Sequence, residues 1–428
     1  MTTIPRLALV RQKFPDVAPM QIDEVLAREF AQRQALGSLR PGARIAVGVG
    51  SRGITKLASI VAGVIKILKA AGAEPFIIPA MGSHGGATPE GQTAVLAEYG
   101  VTEAAMGVPI RASLETEIVG TTSDGVPVHC SVEALRADGI VLINRVKPHT
   151  DFGGSLGSGV VKMLAIGLGK RNGATACHVA ASRLGHEQVL RGVARVILQS
   201  APVLAGVAIV EDQFHEPVRL AVLKPTEMEA RESELLEESR RLMPRLPFDD
   251  IDLLVVDEIG KNISGAGMDP NVIGRGVMGY ISSLVSSPAP GPTIRRIFAR
   301  DLTAETHGNG VGIGMADVTT TRLVRAIDSR TSYVNALTAL SPQSVKIPIH
   351  FDTDREALTQ ALGSLAMPDT GEARVVRVAN TLSLACLEVS EAYRREIESR
   401  DDLQLCGEWR TVEFDTNGNM LPLAPPEI

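Results

Sequence analysis

Five side chains in the first 180 residues are of types that do chemistry, and each sits in a glycine-bearing segment. Arg52 lies in GVGSRGI, 48–54, where a guanidinium near helix-terminal amides would clamp an anion. His84 lies in PAMGSHGGAT, 79–88, whose small residues let a ligand or a backbone come close. An imidazole there is suited to general acid/base work. His149 follows in NRVKPHTDFGGSLGSGVVKMLAIGLGK, 144–170, with Lys147 and Asp151 in the same loop. Lys162 stands after that glycine run, at the start of an apolar helical stretch. A lysine buried there would serve as a nucleophile or covalent anchor; a snorkelling surface lysine is the plainer alternative. In NGATACH, 172–178, Cys177 and His178 offer a soft and a borderline metal ligand on a helix. One histidine and one cysteine do not fill a tetrahedral zinc site.

Two phosphate signatures are missing. Lys170 is followed by Arg171, so G-x-x-x-x-G-K-[ST] fails, and GSLGSG lacks the G-x-G-x-x-G spacing. The chain has eight histidines. His129, His186, His215 and His350 lack comparable contexts and read as structural or surface residues. His307 lies in another glycine-rich loop, 305–317.

The elements that must hold these residues read as α/β. ARIAVGV (43–49) is a buried strand, 55–71 a helix and EPFIIPA (74–80) a second strand, which makes one β-α-β unit of parallel sheet. Further strands are expected at 139–146 and 204–212, with helices between 159 and 198. Ligands in open α/β sheets bind beyond the carboxyl ends of strands, where the four motifs fall. Residues 226–243 predict a charged, exposed helix. PRLPFDD, 244–250, is a joint. Beyond it IDLLVVDEIG opens a second α/β domain with a strand near 294–302, a helix around 317–328, strands near 374–379 and 382–388, and a helix at 390–399. The expected division is a catalytic and cofactor-binding domain, 1–246, and a second domain, 250–401, with an active-site cleft between them. The tail, 402–428, is expected to return to the first domain.

The 428 residues, 44% hydrophobic and 21% charged, are enough to bury large cores. A net charge of −6 and 3% aromatics argue against nucleic acid as a partner. Cys130, Cys177, Cys386 and Cys406 are scattered and suggest no disulfide framework. The most apolar helical stretch is broken by Lys66 and Lys69 and is short for a bilayer. The chain reads as cytoplasmic, with no membrane partner.

The ordered set Arg52, His84, His149, Lys162 and His178 resembles the nickel-pincer lactate racemase family. The resemblance covers roughly residues 45–180, with a looser likeness in domain organisation. It implies an isomerase, a racemase or epimerase, that inverts C2 of a 2-hydroxy acid by hydride transfer to and from its cofactor. That cofactor is nickel held by pyridinium-3,5-bisthiocarboxylic acid mononucleotide. On this resemblance His178 is the metal ligand and His84 and His149 the acid/base pair. Lys162 is the cofactor tether, Gly85 and Gly154 line the cofactor, and Arg52 binds the substrate carboxylate or the cofactor phosphate. Cofactor-synthesis enzymes would be the source of the cofactor, and self-association stays open. Lactate-acting members carry an aspartate ahead of the arginine, D-x-[ST]-R. Here Gly48-Val49-Gly50 precede Ser51-Arg52, which points to a larger or more polar 2-hydroxy acid. In the second domain, DEIGKNISGAGMDPNVIGR (257–275) offers Lys261 above all, then Asn271 and Arg275, to a substrate. The alternatives are a hydrolase or lyase with a conventional metal at His84, His149 and His178, and a non-catalytic binder of sugar acids or phosphates.

Overall fold

The structure, a computed structural model, describes residues 2–15, 17–37, 39–50, 53–150, 152–276 and 291–423. The chain forms two compact α/β units. One is Val17–Met243, the other Met1–Asp16 with Pro244–Ile428.

The unit Val17–Met243 is built on a five-stranded sheet in the order Glu74–Pro79, Arg44–Val49, Gly139–Arg145, Val203–Glu211, Pro217–Leu223. The first four strands are parallel and the last is antiparallel. Strands covered on both faces need unbroken apolar runs rather than alternation, and RIAVGV and GIVLIN supply them. Odd and even residues then part to opposite sides. Ile45, Val47, Val141 and Ile143 meet Leu26, Phe30, Ile60 and Val64 on one face. Ala46, Ile140, Leu142 and Ala208 meet Cys177, Val189, Val193 and Leu235 on the other. Helix Leu57–Ala70 buries Ile60, Val61, Val64, Ile65 and Leu68, the spacing of one helical face. Counted along the chain, the strand order is 2-1-3-4-5. Its direction of growth reverses between Arg44–Val49 and Gly139–Arg145, which is where a doubly wound sheet opens a crevice at its carboxyl edge.

The second unit carries an eight-stranded sheet in the order Ile349–Phe351, Val318–Thr320, Thr293–Leu302, Asp250–Ile259, Val375–Asn380, Ser383–Ser390, Leu7–Gln12, Leu403–Leu405. The first five are parallel; the remaining pairings are antiparallel. Its interior holds a charged cluster. Arg300 meets Asp257 at 2.7 Å and Asp354 at 2.6 Å. Arg377 grips both oxygens of Asp257 at 2.8 Å and Glu388 at 2.7 Å. Arg322 reaches Asp301 at 2.7 Å and Asp354 at 3.1 Å. The arginines also clasp the tail: Arg300 donates to the Met420 carbonyl, Arg377 to that of Leu421 and Arg322 to Asn419.

Three expectations are corrected here. The N-terminal strand Leu7–Gln12 belongs to the second unit, paired to Ser383–Ser390 and Leu403–Leu405. The described part of the tail also packs in this unit, not on the first: Met420 is buried beside Leu253, Phe298 and Leu358. The segment read as one helix at 317–328 is a strand, Val318–Thr320, followed by a short helix, Thr321–Ala326, whose amides Thr320 caps. The β-branched run Val-Thr-Thr suits a sheet partner, and Thr319 and Thr320 use their hydroxyls on strand carbonyls. Among the described residues no helix is long and apolar enough to cross a membrane.

Candidate active site

The loops after Arg44–Val49, Glu74–Pro79 and Gly139–Arg145 leave the same edge of the first unit's sheet. The His84 loop leaves Pro79 and is fixed from beneath by Gln92, which is wholly buried. Its amide donates to the carbonyls of Gly82 (3.0 Å) and His84 (3.3 Å). Gly85 has φ +63°, and a Cβ there would lie 2.5 Å from the Gly91 carbonyl carbon. Its glycine character thus serves this tight turn, before any ligand is considered. The half-buried His84 is carried on a loop root touching the next layer backbone to backbone. Gly82 N donates to Gly167 O at 3.4 Å, and a Cβ on Gly167 would sit 2.6 Å from Ala80 O.

That next layer presents Lys162. Residues Val160–Lys162 make one helical turn, and Met163–Gly167 continue it with a π-turn in which Leu168 N donates to Met163 O. Such wide turns insert an extra residue and re-aim their neighbours, and they recur at functional sites. Lys162 Nζ lies 2.6 Å from His149 Nε2. Both residues are half-buried, so Lys162 is less enclosed than a fully buried anchor would be. His149 stacks on Phe152, centroids 4.1 Å apart and planes 19° apart. The other face of Phe152 stacks on His186 at 4.8 Å and 7°. His186 meets His178 edge-on at 6.4 Å. A continuous set, Lys162–His149–Phe152–His186–His178, therefore links three of the expected site residues. His178 is half-buried on helix Lys170–Leu184.

Other expectations fare differently. Arg52 and Asp151 lie outside the described residues. Gly154, with φ +123°, is exposed and lies under Glu187, whose carboxylate a Cβ would strike. Glu187 is held there by Ser155 (2.6 Å) and Arg191. Cys177 points into the core, where burial pushes its thiol up to about 12. A thiol held protonated is a poor metal ligand. Lys261, Asn271 and Arg275 are in the other unit. Lys261 donates to Gly265 O at 2.5 Å, Asn271 bonds Asp269 at 3.0 Å, and Arg275 pairs with Asp317 at 2.8 Å. Among the described residues no three histidine, cysteine or carboxylate side chains converge on one metal position.

Four residues around the site were not singled out in the sequence reading. His186 reads as an ordinary helix-start residue until its ring contacts are seen. Arg145 ends its strand and pairs at 2.5 Å with buried Glu211, whose other oxygen accepts from Thr55 N (3.2 Å) in the loop that follows residue 52. Glu232, on the charged helix Met228–Leu242 expected to be exposed, is wholly buried. Its carboxylate accepts the amide of Val161 at 3.0 Å. Burial raises its pKa to about 7 against the pull of backbone hydrogen bonding. Lys170, noted only as breaking a phosphate motif, is wholly buried with φ +52° and donates to Pro79 O, at the root of the His84 loop. Burial lowers it to about 8, opposed by Cys130 and Glu133. The signal available for these was indirect: a charged side chain on the apolar stripe of a helix.

Residues 9–189 match the family model described as the lactate racemase N-terminal domain. Among solved structures the chain is similar to the lactate racemase apoprotein from Thermoanaerobacterium thermosaccharolyticum. The identity is 15% and the TM-score 0.51, over 88% of this chain and 94% of that one. A structural-genomics protein from Thermotoga maritima is similar at 12% identity and TM-score 0.50, over 78% and 84%. At such identities the structural likeness speaks for the fold. No curated protein matches.

Proposed function

We propose that this chain is a racemase or epimerase that inverts C2 of a 2-hydroxy acid with a nickel-pincer nucleotide, acting in the cytoplasm. The observation that carries the reading is the Lys162–His149 contact of 2.6 Å, inside the segment that matches the racemase N-terminal domain. The donor set fits the group. His178 offers one half-buried imidazole, edge-on to His186, as a single nitrogen ligand for a metal that brings its other ligands with it. Lys162 is an amine presented at the mouth of a glycine-flanked turn, where a tether could form. When bound, the group would supply a reversible hydride acceptor, so that C2 passes through a flat keto acid.

The chain's own residues would do the rest. His149 would take the hydroxyl proton at Nε2 and return it, the role of an imidazole in general acid/base catalysis. Phe152 limits rotation of that ring by stacking. His84, on the neighbouring loop, would serve the opposite enantiomer. Arg52 would hold a carboxylate or phosphate. Gly48-Val49-Gly50 ahead of Arg52 favours a substrate larger or more polar than lactate.

The test is an intact mass and a nickel analysis on protein co-produced with the enzymes that build the cofactor, followed by screening 2-hydroxy acids for inversion. A nucleotide-sized mass increase that vanishes in Lys162→Ala, with nickel that vanishes in His178→Ala, is the expected result. Nickel without an adduct removes the tether and keeps the reaction. Neither nickel nor adduct, while a known racemase loads in the same cells, overturns the reading.

A further inference from the structure

Glu232 has features an ordinary helix-surface glutamate lacks. It is the wholly buried member of a charged helix, and its Oε1 finds no hydrogen-bond partner among the described residues. Its Oε2 accepts from Val161 N, one residue before Lys162. The carboxylate lies so close over Gly159 that a Cβ there would come within 2.3 Å of Oε1 and 2.4 Å of Cδ. Gly159 is meanwhile held by its carbonyl, which accepts from Asn144 Nδ2 at 2.7 Å and from Met163 N at 3.0 Å. The backbone that leads into Lys162 is therefore held at two points: the Gly159 carbonyl by strand residue Asn144 and the Val161 amide by Glu232. A helix start can be capped by a neighbouring serine, threonine or aspartate. Here the acceptor comes from a helix some seventy positions further along the chain. Rotation of the 160 and 161 peptide planes would swing the Lys162 Cα–Cβ bond and break its contact with His149.

We propose that Glu232 is the positioning residue for Lys162, holding the turn Val160–Lys162 so that Nζ is delivered to His149. The inference rests on the reading of Lys162 and His149 as the working pair, but its test needs neither cofactor nor turnover. Cofactor-free protein is treated with an amine-acylating reagent, and peptide mass spectrometry reads the rate at Lys162 against the rate at exposed Lys346 of the other unit. Glu232→Leu keeps the volume and removes the acceptor. It is expected to raise the Lys162/Lys346 ratio about fivefold, the factor one net hydrogen bond is worth. Glu232→Gln retains an acceptor oxygen and should stay within about twofold of the native ratio. Gly159→Ala, which displaces the carboxylate without altering Glu232, should reproduce the leucine result and stands in for it should that variant not fold. An unchanged ratio in the leucine and alanine variants overturns the proposal, as does a glutamine variant that speeds labelling as much as leucine. A racemase-active protein with unchanged ratios would sink this inference alone, whereas shifted ratios in a protein that loads no nickel would leave it standing and sink the reaction.

Discussion

The two units hold their charged groups in opposite ways. In the second unit Arg300, Arg377, Asp257 and Asp354 are sequestered, yet each guanidinium and carboxylate meets partners of opposite charge, Arg377 gripping Asp257 with a two-pronged fork. In the first unit Lys162 and His149 are only half-buried and meet nitrogen to nitrogen, Nζ to Nε2, rather than as a cation and a carboxylate. Nearby, Glu232 has an oxygen without a partner among the described residues, and Lys170 is enclosed without a carboxylate in hydrogen-bond contact among the described residues. Satisfied charge is architecture, because nothing is gained by moving a proton. Imperfectly matched charge is held ready for proton movement or for a ligand. The contrast separates the residues whose loss should stop chemistry from those whose loss should unfold the chain.

The largest effect should come from the imperfectly matched set. His149→Ala in loaded protein is expected to lower inversion about 100- to 10,000-fold, the range of general acid/base catalysis. The melting temperature should barely move, since the ring is half-exposed. A variant that keeps its rate would remove His149 from the chemistry. Next in size, Asp354→Ala should cost about 3–5 kcal/mol in denaturant unfolding, because it strips Arg300 and Arg322 of a shared buried partner. A loss below about 1 kcal/mol would mean that the cluster is solvated and the comparison misdrawn.

A smaller effect depends on pH. The Glu232 carboxyl is raised from 4.5 to about 7 in the folded protein, so the native state keeps a proton that the unfolded chain releases. The stabilisation this gives is complete below about 4.5 and is lost as pH rises through about 7. Glutamine does not ionise and has nothing to lose. Urea melts at pH 5 and pH 8 should therefore show the Glu232→Gln variant gaining on wild type at the higher pH, by at most roughly 1.4 kcal/mol for each unit of displacement. A difference independent of pH would place the carboxyl in a wetter setting. The smallest effect belongs to neither class. Lys66 and Asp23 pair at 2.9 Å on the surface, and Asp23→Ala should leave the melting curve unchanged.

What the sequence disclosed follows the range of the interactions involved. Strands such as RIAVGV and GIVLINR announce themselves because burial on both faces demands a local apolar run. The motif order was legible because loops after parallel strands share one edge. Strand Leu7–Gln12 was not, since its partners lie at the far end of the chain. His186 was set aside because a ring stack leaves no local spacing to read. Glu232 stands four residues after Met228 and three before Leu235, on the stripe that turns inward, but the density of charge in TEMEARESELLEESRRLM masks that stripe. Gly154 was assigned to a ligand when Glu187 occupies the space above it. Sequence patterns report burial along an element; they say little about which distant side chain a buried polar group will find.

The pairing of Leu7–Gln12 with Ser383–Ser390 makes the Val17–Met243 unit an insertion in the other, entered after residue 16 and left before residue 244. During synthesis the inner unit is contiguous and can mature while later codons are still being read. The outer unit cannot complete its sheet until translation has passed residue 390, so its first strand must wait unpaired through most of the message. Leu7–Gln12 is six residues long and carries Arg11 and Gln12. Such a short, charge-bearing strand offers little for a neighbouring nascent chain to seize during that delay.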